Sequence, residues 1–260
     1  MTTTIYVPID SAATSVGANA VAQAIAAEAS KRNLEIKLVR NGSRGLLWLE
    51  PLVEVATVEG RVGYGPVTAA DVAALFDSDF LTGAANAFSV GLIDEISWLA
   101  DQQRVTFARV GVIDPLDIED YEAHGGLSGL RAAIALTPQE VIEEVLASGL
   151  RGRGGAGFPA GIKWRTVMEA EAVQKYVCCN ADEGDSGTFA DRMLMEGDPF
   201  TLIEGMAIAG IAGGATKGLI YIRSEYPDAI ATMRAALLSA REYGLLGTDN
   251  STSGSAGVDG

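Results

Sequence analysis

Hydrophobic positions early in the chain switch between a period of two and a period near 3.6, which predicts mixed α/β structure. Residues 5–7 form a short apolar run. Val21, Ala22, Ile25, Ala26 and Ala29 then share one helical face, and Lys31 and Arg32 stand where a helix C-terminus favours cations. Leu34, Ile36 and Leu38 alternate with Glu35 and Lys37, as in a half-buried strand. Runs at 53–58 and 61–64 flank Glu59-Gly60 and predict a hairpin. Thr68, with Asp71 three residues on, predicts a helix start, and Val72, Leu75 and Phe76 face inward. The order βαβ then ββα is a thioredoxin-like layout, expected as a domain over residues 1–83.

The periodicity fades over residues 84–126, expected as a linker with a short helix inside 88–99 and an exposed acidic turn at 117–122. It returns at Thr137-Pro-Gln-Glu140, a capping box with proline at the first helical position, followed by Val141, Ile142, Val145 and Leu146 on one face. Residues 175–179 and 218–223 predict core strands, and Pro227 opens a last helix through Tyr243. A second domain is expected over 127–249 and a disordered tail over 250–260.

Composition narrows the function classes. The chain of 260 residues carries a formal charge of -15, which repels nucleic acid and anionic membranes. No apolar run is long enough for a membrane span, and the N-terminus has no leader pattern. Two adjacent cysteines, Cys178 and Cys179, suit a reducing cytoplasm and are expected as small buried thiols. The single histidine, His124, beside Gly125-Gly126, is expected as a loop residue, and no metal site is expected.

Two stretches carry candidate chemistry. Ser148-Gly-Leu-Arg-Gly-Arg-Gly-Gly-Ala-Gly-Phe-Pro-Ala-Gly-Ile-Lys-Trp164 places Gly152, Gly154, Gly155 and Gly157 among Arg151, Arg153 and Lys163. Glycines let backbone amides approach an anion, and the cations suit a phosphate. Phe158 offers a flat apolar face. The spacing fits G-x-G-x-x-G but follows a helix instead of a strand, the wrong context for the usual dinucleotide fingerprint. The second stretch, Cys179-Asn-Ala-Asp-Glu-Gly-Asp185, follows an apolar strand. Its Asn180, Asp182, Glu183 and Asp185 suit ring nitrogens, ribose hydroxyls or a cation, and equally a solvated acidic turn.

These two stretches, with Gly187-Thr-Phe189, Ile113-Asp-Pro115, Tyr221-Ile-Arg-Ser-Glu-Tyr226 and Gly244-Leu-Leu-Gly247, resemble the flavin subunit that oxidises NADH in respiratory complex I. The same subunit type serves bidirectional hydrogenases and NAD-dependent formate dehydrogenases. The resemblance implies an α/β FMN/NAD-binding domain, here its N-terminal part. It implies FMN contacts from Gly152, Arg153, Gly154, Gly155, Lys163, Asn180, Asp182 and Glu183, stacking of NAD(H) on Phe158, and catalytic roles for Glu183 and Asp185. Glu183-Gly-Asp-Ser-Gly187 and Met193-Leu-Met-Glu-Gly-Asp-Pro199 look most like the formate dehydrogenase branch. That branch implies cytoplasmic partners: a two-iron ferredoxin-like subunit and a molybdenum-containing catalytic subunit. The family's later Gly-Ala-Gly-x-Tyr-x-Cys-Gly-Glu-Glu segment and the four cysteines of its four-iron cluster have no counterpart in this chain.

The first domain resembles the thioredoxin-like two-iron ferredoxin. Ser43 and Leu47 stand for its second cysteine pair, and the first pair is lost near Pro8 and Ala13, which implies a docking domain without a cluster. Two alternatives remain open: a cofactor-free docking or assembly protein, and the flavin subunit of complex I or of a bidirectional hydrogenase. A more distant relative, the flavin subunit of ion-pumping NADH–ferredoxin oxidoreductases, shares the glycine loop but not the long acidic motif.

Overall fold

Alternation near the N-terminus builds a mixed sheet. The computed structural model describes residues 2–153, 155–185 and 187–247. Gly154, Ser186 and the expected 250–260 tail lie outside them. The chain forms two units, Met1–Pro115 with Arg192–Asp198, and Leu116–Asp191 with Pro199–Gly260.

In the first unit, β1 (Thr3–Tyr6) is followed by α1 (Ser11–Ser15), α2 (Ala18–Lys31) and β2 (Ile36–Val39), which returns parallel to β1. Then β3 (Val53–Ala56) pairs antiparallel with β1, and β4 (Arg61–Tyr64) pairs antiparallel with β3. After α3 (Val72–Asp77) comes β5 (Ser89–Leu92), then α4 (Ser97–Ala100); the strand order is β2-β1-β3-β4-β5. Its first four strands have the thioredoxin-like layout. Ile5, Val21, Ile25, Val55, Leu75 and Phe80 form the core.

Two local expectations change. Thr68 and Asp71 do bond, Thr68 N donating to Asp71 Oδ2 at 2.9 Å, but this closes a turn ahead of α3, which begins at Val72. Residues 88–99 hold β5 before any helix, because Ser89–Leu92 satisfy their backbone groups on the free edge of β4. The stretch expected as a linker therefore supplies a sheet strand.

Ser43 and its neighbours form a buried polar cluster in this unit. Ser43 Oγ donates to Glu50 Oε1 at 2.6 Å, and Ser43 N donates to Asp10 Oδ2 at 3.1 Å. Arg44 grips Glu54 through two bonds of 2.9 Å, and Leu47 is exposed.

The second unit contains α5 (Ile118–Ala123), α6 (Ser128–Ile134), α7 (Pro138–Ala147), α8 (Ala160–Glu169) and β6 (Tyr176–Ala181). It also starts α9 (Ala190–Gly197), whose residues from Arg192 on count with the first unit, and adds α10 (Pro199–Gly213), β7 (Lys217–Ile222) and α11 (Pro227–Glu242). The capping box expected at Thr137 is present, with Glu140 carboxylate accepting from Thr137 N at 2.7 Å. Buried Glu204 caps α6 from α10, accepting from Leu127 N at 2.9 Å and Leu130 N at 2.8 Å. Both backbone donors are among those that a helix start leaves without intrahelical partners.

β6 and β7 pair in parallel, Cys178 opposite Leu219 and Asn180 opposite Tyr221. These were expected as core strands, yet their residues alternate between exposed and half-buried, apart from buried Ala181 at the end of β6. Only one face is packed by α10, so Cys178, expected to be buried, is exposed.

Candidate functional site

The glycine stretch forms a closed loop at the start of α8. Arg151 and Pro159 make an antiparallel bridge, Gly152 N donates to Phe158 O at 2.8 Å, and Ala160 N donates to Leu150 O at 2.9 Å. Gly157 sits at φ +54, the left-handed region that costs a glycine nothing. Arg151 Nη1 donates to the Gly157 carbonyl at 2.9 Å, so one of the three cations braces the loop. Arg153 and Lys163 are exposed, and no ion pair or hydrogen bond engages their side chains among the described residues. Pro159 offers no side-chain cap to α8.

The loop is carried on a tightly seated helix. A Cβ on Gly161 would lie 2.6 Å from Leu146 Cγ and 3.0 Å from Leu146 N, so only glycine lets α8 press this closely on α7. Leu146, Trp164 and Met168 pack with Ile142, Ile208 and Ala212. At the far end of α8, Lys175 Nζ donates to Met168 O at 2.9 Å, beside the start of β6. β6 and β7 finish side by side at one edge of their two-stranded sheet.

At that edge the acidic turn follows β6. Ala181 is buried, Asp182 and Glu183 are half-buried, and Gly184 and Asp185 are exposed. Asn180 Oδ1 accepts from Asp182 N at 3.3 Å, and Asp185 Oδ1 accepts from Gly187 N at 3.0 Å. Glu183 lies at φ +43, and its Oε1 accepts from Ala190 N at 2.5 Å and Asp191 N at 3.2 Å. A carboxylate over a helix start satisfies orphan amides and opposes the helix dipole. Burial and then the Glu183 charge push the Asp191 carboxyl above its ordinary value. Burial and then Asp191 raise the Cys179 thiol, which keeps it protonated and poorly nucleophilic.

Because β6 and β7 are parallel, the segment after β7 lies beside the acidic turn. Arg223 Nη1 donates to Gly184 O at 2.9 Å, and Tyr226 OH donates to Glu183 O at 2.7 Å. Arg223 also lies 3.9 Å from Asp182 and 2.8 Å from Glu225. Sequence reasoning placed neither side chain at the site. The signal available was an arginine and a tyrosine just past a strand parallel to the acid-bearing one.

The placement thus joins Asp182, Glu183 and Asp185 in one turn and holds Gly152, Arg153, Gly155, Phe158 and Lys163 around one loop. Among the described residues, no group of three or more His, Cys, Asp or Glu is arranged to hold a metal. No helix among them is long and apolar enough to cross a membrane.

Comparison with known proteins places these features in context. Residues 145–253 match the model of the Nuo51 FMN-binding domain. The chain is 54% identical over 146 residues to the NADP-reducing hydrogenase subunit HndC of Solidesulfovibrio fructosivorans, which covers 56% of this chain and 30% of that protein. It is 51% identical over 144 residues to an NADH-quinone oxidoreductase subunit of Rhizobium meliloti (strain 1021), covering 55% of this chain and 34% of that one. Among solved structures, NAD+-reducing [NiFe]-hydrogenase in the air-oxidised state aligns at TM-score 0.43 and 24% identity, over 93% of this chain and 41% of that one. The chain spans about a third of the length of the two curated relatives.

Proposed function

We propose, from the premise that residues 145–253 belong to the Nuo51 FMN-binding family of complex I and hydrogenase flavin subunits, that this chain binds FMN and exchanges electrons with NAD(H). The observation that carries the reading is the closed glycine loop with two uncommitted cations, Arg153 and Lys163, at the start of α8, which no side chain caps. Backbone amides and cations without internal partners suit a phosphate dianion. Arg151 holds the loop in shape and is not counted as a ligand.

Flavin bound there supplies the capacity to take a hydride from NADH and release electrons singly. The chain supplies the rest. Gly152 and Gly155 allow the loop backbone to close on phosphate, with Arg153 and Lys163 neutralising its charge. Phe158, 49% exposed, offers its ring to a flat nucleotide ring. Asn180, Asp182 and Asp185 present amide and carboxylate groups to ring nitrogens and ribose hydroxyls. Glu183, expected in the same role, spends one carboxylate oxygen on α9 and shapes the turn from that side.

The finer reading is a formate dehydrogenase flavin subunit, favoured by Glu183-Gly-Asp-Ser-Gly187 and Met193–Pro199, in a cytoplasmic complex with ferredoxin-like and molybdenum-containing partners. The first unit would dock such partners without carrying electrons, since Ser43 and exposed Leu47 replace thiols.

Fluorescence titration with FMN and with riboflavin tests the site. FMN should bind more tightly, and the double variant Arg153→Ala/Lys163→Ala should erase the difference while leaving riboflavin unaffected. Loss of one charge-assisted contact is worth about 1.5–3 kcal/mol, or roughly 10- to 150-fold in affinity. Equal affinity of the unaltered chain for FMN and riboflavin would sink the phosphate role.

A further inference from the structure

We infer that Arg223 and Tyr226, just past β7, are positioning residues of the flavin site: they pin two successive carbonyls of the acidic turn and so set where its carboxylates point. The inference rests on the reading of the turn as part of that site.

The geometry is specific. Tyr226 OH bonds the carbonyl of Glu183, and Arg223 Nη1 bonds the carbonyl of Gly184, at 2.7 Å and 2.9 Å. Glu183 has φ +43, a conformation unfavourable for a residue with a Cβ. Such a backbone persists only where its surroundings over-determine it. Here four hydrogen bonds do so: those from the two donors on the carbonyl side, and those from Ala190 N and Asp191 N to the Glu183 carboxylate on the other. With the peptide planes of 183 and 184 fixed, Asp182 and Asp185 leave the turn in set directions. Asp182 remains within 3.9 Å of Arg223, and Asp185 closes its own turn onto Gly187 N at 3.0 Å.

The cation has a second task. Arg223 places a positive charge between Asp182 and Glu225, 3.9 Å and 2.8 Å away, and its pairing with Glu225 raises its own proton affinity. A guanidinium so placed lowers the repulsion between the acids on either side of it. A lysine can reach one carbonyl with one donor but cannot reproduce the planar fork that serves Gly184 O and Glu225 together.

The test uses the full chain with Tyr226→Phe, Arg223→Gln and Arg223→Lys. Amide hydrogen exchange is measured without ligand, and FMN and riboflavin affinities are measured by fluorescence. Tyr226→Phe and Arg223→Gln should speed exchange at Ala190 and Asp191 on the order of tenfold, the worth of a lost hydrogen bond, with β6 and β7 unchanged. Both should weaken FMN and riboflavin by a similar factor, keeping their ratio, since the phosphate loop is untouched. Arg223→Lys should recover part of the loss. Wild-type exchange and affinity in both variants overturns the inference. Uniform acceleration through β6 and β7 also overturns it, since the pair would then be a general prop. If the unaltered chain does not prefer FMN, the parent reading fails, while the exchange result still decides whether these side chains hold the turn.

Discussion

Glu50 in the first unit is 6% exposed and faces Asp10 and Glu54, with Ser43 Oγ and Leu52 N as its donors at 2.6 Å and 2.9 Å. Burial raises its acid to about 7, against the opposing pull of those two hydrogen bonds, and Asp10 and Glu54 add to the rise. In the unfolded chain it titrates near its ordinary 4.5. A carboxyl raised on folding favours the native state while protonated. Its contribution is thus complete below about 4.5 and fades as pH rises through about 7. Glu50→Gln should flatten that decline, gaining roughly 1–3 kcal/mol on wild type between pH 5 and pH 8. Urea unfolding at the two pH values checks this; an unchanged difference between variant and wild type would refute it.

At the scale of elements, the seat of α8 on α7 depends on Gly161. Valine favours a helix more than glycine does, yet a side chain there meets Leu146 at 2.6 Å. Overpacking should win: Gly161→Val should destabilise by about 1–3 kcal/mol, and Leu146→Ala in that background should return part of it. Thermal melts of the four proteins in the cycle measure the coupling, and additive effects would show that the two side chains do not compete for space. The seat also aims the glycine loop, so FMN affinity should fall with Gly161→Val and partly return in the double variant.

For the whole molecule the dominant global term is charge. A net charge of -15 repels itself at low salt. Raising ionic strength from about 0.01 M to about 0.1 M shortens the screening length from roughly 30 Å to roughly 10 Å. If that relieves about 1 kcal/mol of repulsion, Tm should rise by about 2–4 °C. Buried pairs such as Arg44–Glu54 are screened little and should not reverse the trend. Melting curves in a sodium chloride series decide it, and a falling Tm would mean that ion pairs outweigh self-repulsion.

The amino-acid order alone determined what depends on near neighbours. Periodicity marked β1, α2, the β3–β4 hairpin and α11. Thr137 and Glu140 declared the start of α7, because a capping box is built from residues three apart. The glycines, cations and acids of both candidate stretches were legible as chemistry for the same reason. Only the tertiary structure decided which groups remain available. Arg151 is committed to Gly157 O while Arg153 and Lys163 are not engaged among the described residues, and Glu183 bends to α9. Ser89–Leu92 became a strand because β4 had a free edge, and Cys178 lies exposed because one face of β6 and β7 is open. Arg223 and Tyr226 met the acidic turn across about forty residues of chain because parallel strands end side by side. Hydrogen-bond partners so distant in sequence leave no periodic trace; only folding brings their donors and acceptors within reach.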